Sequence, residues 1–375
     1  MDVRVPQCEE SLRPRERSFF MSRHSVFRML QTGRRDAPAH RGARCVSRRV
    51  VTILVILLGL PPAVQAEVSV DGRAMLFYTD DVGIFSATRR LSRDGDPTQP
   101  ALDSRLTDKG SDVVFEPDVT IGKAFISRYG TTTVDARGQG FIFTDDTRFT
   151  HGTLRLQAVH AFSPQTRLRL RYYYAPNLFL GDNEERRSGT EAIVGETVTS
   201  HIWSSRIERE LKPGLEVRLL ARYGLRRYNE EFSQRDTNFW TIGPHLNWQV
   251  HPRVKFGVSY HYERGLADGR YQPQFKDDVS YINHYVSVDL DIELMERLTL
   301  MTAFHYERNN WTSGIPEDER NGAHENVYQG EVLLVRRLNE AVRIFVGVQR
   351  SSRKQSFESE SVKNTNVGVG VAALF

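Results

Sequence analysis

From about residue 112 to the end of the chain, apolar and polar residues alternate with a period of two. Leu215, Val217, Leu219, Ala221 and Tyr223 fall on one face of a segment, and Glu216, Arg218, Leu220 and Arg222 on the other. Leu168, Leu170, Tyr172 and Tyr174 oppose Arg167, Arg169, Arg171 and Tyr173, while Val286, Val288, Leu290 and Ile292 oppose Ser287, Asp289 and Asp291. One apolar face at period two predicts half-buried strands. Strands are expected at 68–79, 112–127, 131–144, 148–162, 166–177, 191–210, 215–230, 237–250, 254–265, 280–293, 298–309, 324–338, 342–356 and 362–375. They run well beyond the five or six residues usual in soluble sheets. Short connections such as Lys212-Pro213-Gly214, His251-Pro252 and Asn339-Glu340 alternate with long polar ones near 179–190, 266–279 and 310–323. Alternating short and long connections predict an up-and-down antiparallel barrel that crosses a membrane, with both termini and the short turns on the periplasmic side.

Aromatic residues sit where the two membrane interfaces would fall. Phe162, Trp248, Phe256 and Phe375 lie near the short turns. Tyr172, Tyr174, Tyr223, Tyr260, Tyr262, Phe304 and Tyr306 lie toward the long loops on the outward face. Two aromatic girdles around an apolar band fit a membrane barrel better than a soluble sandwich. The final segment, Val367-Gly368-Val369-Gly370-Val371-Ala372-Ala373-Leu374-Phe375, alternates without a break and stops on an aromatic. It resembles the closing strand of bacterial outer-membrane β-barrel proteins, porin-like in layout. That resemblance implies a Gram-negative outer-membrane location, lipopolysaccharide and outer-membrane lipid as surroundings, and recognition of Phe375 by the barrel assembly machinery. Fourteen strands satisfy the even count of a closed antiparallel barrel. Twelve remain open, because a polar stretch (80–111) separates the first candidate strand from the next. Residues 67–111 therefore read as a first strand or arm followed by a polar loop or plug, and 112–375 as the barrel.

The first 66 residues change the charge picture. Val50–Leu60 is apolar except for Thr52 and Gly59, follows Arg41, Arg44, Arg48 and Arg49, and precedes Pro61-Pro62-Ala63-Val64-Gln65-Ala66. A basic region, a short apolar core and small residues are the parts of a secretory signal peptide, with cleavage expected after Ala66. The apolar run is about half of the roughly 20 residues that a membrane-spanning helix requires. Without residues 1–66 the chain holds 39 basic and 42 acidic residues, so the net charge falls from +4 to −3. The basic balance of the whole chain thus gives no case for a nucleic-acid partner. Cys8 and Cys45 both lie in the presequence, so the mature part has no disulfide framework.

Inward positions carry any chemistry, since outward ones need only suit lipid. Arg155, Arg167, Arg169, Arg171, Arg218, Arg222 and Arg226 are expected inward on neighbouring strands, with His261, Glu263, Asp289, Asp291, His305 and Glu307 further along. An arginine-rich wall facing a carboxylate-rich one would line a pore and favour anionic solutes. The same charges could instead pair with each other and brace the barrel. The echo His261-Tyr262-Glu263-Arg264 and His305-Tyr306-Glu307-Arg308 puts two inward His/Glu pairs on second-neighbour strands, about 10 Å apart. That spacing makes a repeated structural pair the better reading than a metal site or a general base. Asp80-Asp81, Asp145-Asp146 and Asp277-Asp278 are expected to be solvated at strand ends. No catalytic residue, cofactor site or metal site is expected. The expectation is a channel for passive diffusion of small polar solutes, anionic ones included. The alternatives are a non-conducting barrel in export or assembly of surface polysaccharide or protein, and an outer-membrane hydrolase using rim His and Glu groups.

Overall fold

A computed structural model of the chain describes residues 68–83, 110–190 and 192–375. The presequence and its expected cleavage point at Ala66 lie outside these residues, as does the stretch 84–109. The strands are β1 (Val68–Thr79), β2 (Asp112–Ser127), β3 (Gly130–Phe143), β4 (His151–Ser163), β5 (Thr166–Glu184), β6 (Ile193–Lys212) and β7 (Leu215–Tyr228). They continue as β8 (Thr237–His251), β9 (Val254–Ala267), β10 (Tyr281–Met295), β11 (Leu298–Trp311), β12 (His324–Arg337), β13 (Val342–Gln355) and β14 (Val362–Leu374). Each pairs antiparallel with its sequence neighbours, and β1 pairs with β14 to close the barrel. The closing register runs from Asp71 opposite Leu374 to Thr79 opposite Asn366. Closure leaves no strand edge, so the backbone polar groups of every strand find partners where there is no water. Fourteen strands are thus present, and the twelve-strand alternative is removed because β1 is hydrogen-bonded on both sides.

The outer surface shows why this sequence needs lipid around it. Leu219, Val346, Val369, Leu170 and Ile207 point outward and are exposed, although an aqueous protein would bury them. The aromatics close the band at both ends: Phe162, Trp248 and Phe375 are exposed toward the turns, and Tyr223, Tyr260 and Phe304 toward the loops. Alternation gave the right face at these positions.

The structure differs from expectation mainly at the loop end. β5 does not stop at 177 but continues to Glu184 through register shifts between Ala175 and Leu178 and between Phe179 and Gly181. Pro176 cannot donate to the ladder, and Asn177 takes a positive φ of 46°, so this pair forms a bulge within the strand rather than its end. β4 begins at His151, because Thr147–Phe149 forms a 3-10 turn instead. The long connection between β1 and β2 leaves and re-enters the barrel at the loop end. The Val82 N–H donates to the Gly110 carbonyl (3.0 Å) and the Asp80 N–H to the Thr365 carbonyl (3.2 Å).

Candidate functional site: the barrel interior

Every second residue of each strand points inward, and contacts between strands that are not neighbours confirm that parity. Arg167 on β5 reaches Glu216 on β7, and the Arg226 guanidinium on β7 donates to the Tyr281 hydroxyl on β10 at 2.6 Å. All the inward residues read from the sequence face this interior. The structure divides them into two groups by depth.

Toward the turns, the interior is half-buried. Arg155 bonds Asp135 at 3.3 Å, and Gln157 bonds the other oxygen of the same carboxylate at 2.8 Å. Arg169 and Arg171 both donate to the Gln157 side-chain oxygen at 3.1 Å. Glu208 is buried at the centre of a cluster, with Arg167 and Arg169 at 3.0 Å and Arg206 at 2.8 Å. Glu216 is shared between Arg167 and Arg218. Asp289 and Asp291 on β10 are half-buried at the same end. Arg206 and Glu208 were not singled out from the sequence. Their alternation about outward Ile207, on the strand between the arginines of β5 and β7, was the available signal.

Toward the loops, the interior is filled. Arg222 and Arg226 are buried there, apart from the half-exposed arginines, and lie 3.8 and 3.6 Å from Glu263. Glu263 also accepts from the Thr241 and Tyr281 hydroxyls, each at 2.5 Å. The two His/Glu pairs sit in this region, joined through a residue between them. Tyr285 on β10 lies against the His261 ring (5.1 Å between centroids), and its hydroxyl meets His305 Nδ1 at 2.8 Å. His261 Nε2 is 2.9 Å from His245 Nε2 on β8, so a His-His-Tyr-His row crosses β8 to β11. Asn283 donates to Glu307, and Asn309 donates to Glu325 at 2.9 Å, with Arg353 on the far side of Glu325. His261, Glu263, His305 and Glu307 are buried inside the barrel, not placed at its rim. Among the described residues, no three His, Cys, Asp or Glu groups come together as a metal cluster. On the opposite arc, Met75, Phe77, Val82, Val114, Phe141, Phe143, Phe149 and Phe179 form an apolar cluster at the loop end.

The loops add a third layer, and here one expectation is corrected. Asp277 and Asp278 are not solvated but are 1% exposed. Asp277 accepts from Gln234 and from Arg235 Nε, both at 2.7 Å, and from Arg320 at 3.1 Å. Arg235 extends the network to Glu196 at 2.8 Å, and the Asp278 N–H donates to Asp318 at 2.9 Å. Burial alone would raise the Asp277 carboxyl, but Arg235 and Arg320 outweigh it and hold it at about 2. Asp81 is likewise buried, at 5% exposure, against expectation, whereas Asp80 and Asp145 remain exposed and Asp146 is half-exposed.

A closed fourteen-stranded barrel with a lipid-facing apolar band, aromatic girdles and a charged interior is a porin-like β-barrel of the Gram-negative outer membrane. Residues 273–375, which hold the last five strands, match the family model described as "putative beta-barrel porin 2". No curated protein matches the chain. Among solved structures it is similar to the outer membrane channel DcaP of Acinetobacter baumannii, with 9% identity over 83% of this chain and 97% of that one and a TM-score of 0.48. It is also similar to an anion-selective porin from Comamonas acidovorans, at 11% identity over 83% and 100% of the two chains and a TM-score of 0.43. A bacterial polysaccharide outer membrane secretin gives 10% identity over 81% and 98%, with a TM-score of 0.46. Likenesses this distant carry no argument about solute or activity.

Proposed function

We propose that the barrel is a channel for passive diffusion of small polar solutes, with a preference for anions. The observation behind this reading is the charge balance on β4–β7 toward the turns. There Arg155, Arg167, Arg169, Arg171, Arg206 and Arg218 outnumber Glu208, Glu210 and Glu216 together with Asp135, the partner of Arg155 on β3. Pairing cancels only part of that positive charge, and the half-exposed guanidinium groups meet water rather than lipid. A cationic wall in a low-dielectric vestibule concentrates anions and raises their entry rate. Single-channel recording under a salt gradient tests this. The expected result is stable conductance steps with an anion-biased reversal potential. Replacing Arg169, Arg171 and Arg218 with Ser is expected to move that potential toward cations while folding, read by heat-modifiable gel mobility, is retained. An unchanged potential in the variant would remove the arginine arc from the reading.

A second reading is favoured by the buried loop end: a barrel that stays closed at rest and serves export or assembly of surface polysaccharide or protein. Folded protein that remains silent until loop residues are removed would support it over the first.

A further inference from the structure

The arginines of this barrel fall into two populations that differ in pairing. Inward ones have carboxylates: Arg73 lies 3.1 Å from Glu116, Arg155 lies 3.3 Å from Asp135, and Arg206 lies 2.8 Å from Glu208. Three outward cations at the loop end do not, whereas Arg227 on β7 has Asp236 at 3.8 Å. Among the described residues, Arg264 on β9, Arg308 on β11 and Lys354 on β13 have no carboxylate within 4.0 Å. Arg308 is steadied only by amide oxygens, those of Asn310 (3.0 Å) and Asn326 (3.4 Å), and Lys354 by the Ser359 carbonyl (3.1 Å).

Register aligns these cations. Arg308 faces Asn326 on β12, which faces Lys354 on β13; on the other side Arg308 faces His284 on β10, one strand from β9 and Arg264. Cations on alternate strands stand roughly 10 Å apart along an arc of the rim. Directly below them lies an aromatic shelf. Tyr262 packs against Trp240 (5.3 Å) and His284 (5.5 Å), Tyr306 packs against Tyr328 (5.1 Å), and the Tyr306 hydroxyl donates to Asn326 at 3.0 Å.

We propose that the arc formed by Arg264, Arg308 and Lys354 binds the phosphorylated sugar headgroup of lipopolysaccharide. An uncompensated cation at the edge of the hydrocarbon layer is costly unless an anion meets it, and the long-loop end of such barrels faces the outer leaflet. Phosphates supply the charge complement for spaced guanidinium and ammonium groups. Aromatic faces at headgroup depth suit the sugar rings beneath. The inference is independent of whether the lumen conducts.

The test uses protein purified in detergent from outer membranes, the wild type beside the R264Q/R308Q/K354Q variant. Lipopolysaccharide, the same lipid with its phosphates removed, and inorganic phosphate are each titrated against thermal unfolding. The expected result is that only intact lipopolysaccharide raises the wild-type midpoint, and that the variant needs about fivefold more lipid for each cation removed. R336Q, at the turn end of β12, serves as the control and should respond as the wild type. Equal responses to intact and dephosphorylated lipid, or equal responses of wild type and triple variant, would overturn the proposal. An unchanged lipid response with an altered oligomeric size would overturn it in favour of a protein contact.

Discussion

Glu263 and Glu216 both point inward and both meet arginines, yet they sit in different surroundings. Glu263, 5% exposed, is enclosed by Arg222, Arg226, Thr241 and Tyr281, and its neighbours are buried in turn. Glu216 lies toward the turns, where its partner Arg167 has a side chain 42% exposed. At the loop end each charge is compensated within a dry network, so removing one member leaves another stranded. At the turn end water can replace a lost partner, so the same chemical change has little structural consequence. One interior therefore combines a buried outer half with a more exposed inner half.

The largest effect should come from breaking the loop network at its centre. Asp277→Ala leaves Arg235 and Arg320 buried without their shared carboxylate and should destabilise the folded loops by about 3–5 kcal/mol. Protease sensitivity of the 267–281 and 311–324 connections measures it; resistance equal to wild type would mean the loops are held by something else. Acid should act on the same contact more gently. The Asp277 carboxyl is held at about 2 in the folded protein, below its ordinary 3.8, so its stabilisation is complete above about pH 4 and is lost as pH falls through 2. That loss is on the order of 2 kcal/mol and should appear as loop cleavage by an acid protease near pH 2. The smallest structural effect belongs to the turn end. Glu216→Gln should change stability by roughly 0–1 kcal/mol and, if the channel reading holds, strengthen anion preference in reversal-potential measurements. A large loss of stability in that variant would erase the distinction between the two halves.

Much of this was legible in the alternation. Parity alone assigned faces to Arg169, Leu219, His305 and Val369, and alternation between short and long connections marked fourteen segments, with twelve left open by the polar stretch after the first. Depth was not legible. Arg218 and Arg222 share a face and a composition, and only packing of neighbouring strands leaves one half-exposed and the other buried. Nor were the partners legible, because the barrel stagger brings Arg226 to Tyr281 three strands away. Lys276-Asp277-Asp278 reads as any polar loop, and its burial depends on Arg235 and Arg320, contributed by two other connections. The β5 extension was hidden because Pro176-Asn177 is a sound turn signal locally, and the ladder on both sides overrode it.

The seam between β1 and β14 carries its own consequence. Met75 stands opposite Gly370 and Phe77 opposite Gly368, and a methyl group at either glycine would sit 2.1 Å from the Met75 sulfur or 2.4 Å from the Phe77 ring. Backbone hydrogen bonds are nearly indifferent to a slide of two residues, since that shift preserves the faces. The side chains are not. A slide one way sets Phe77 against Asn366, and the other way sets Met75 against Ala372. Bulk on one strand and gaps on the other thus give the last joint of the cylinder a reading frame, so that the two ends of the chain can zip together in one alignment.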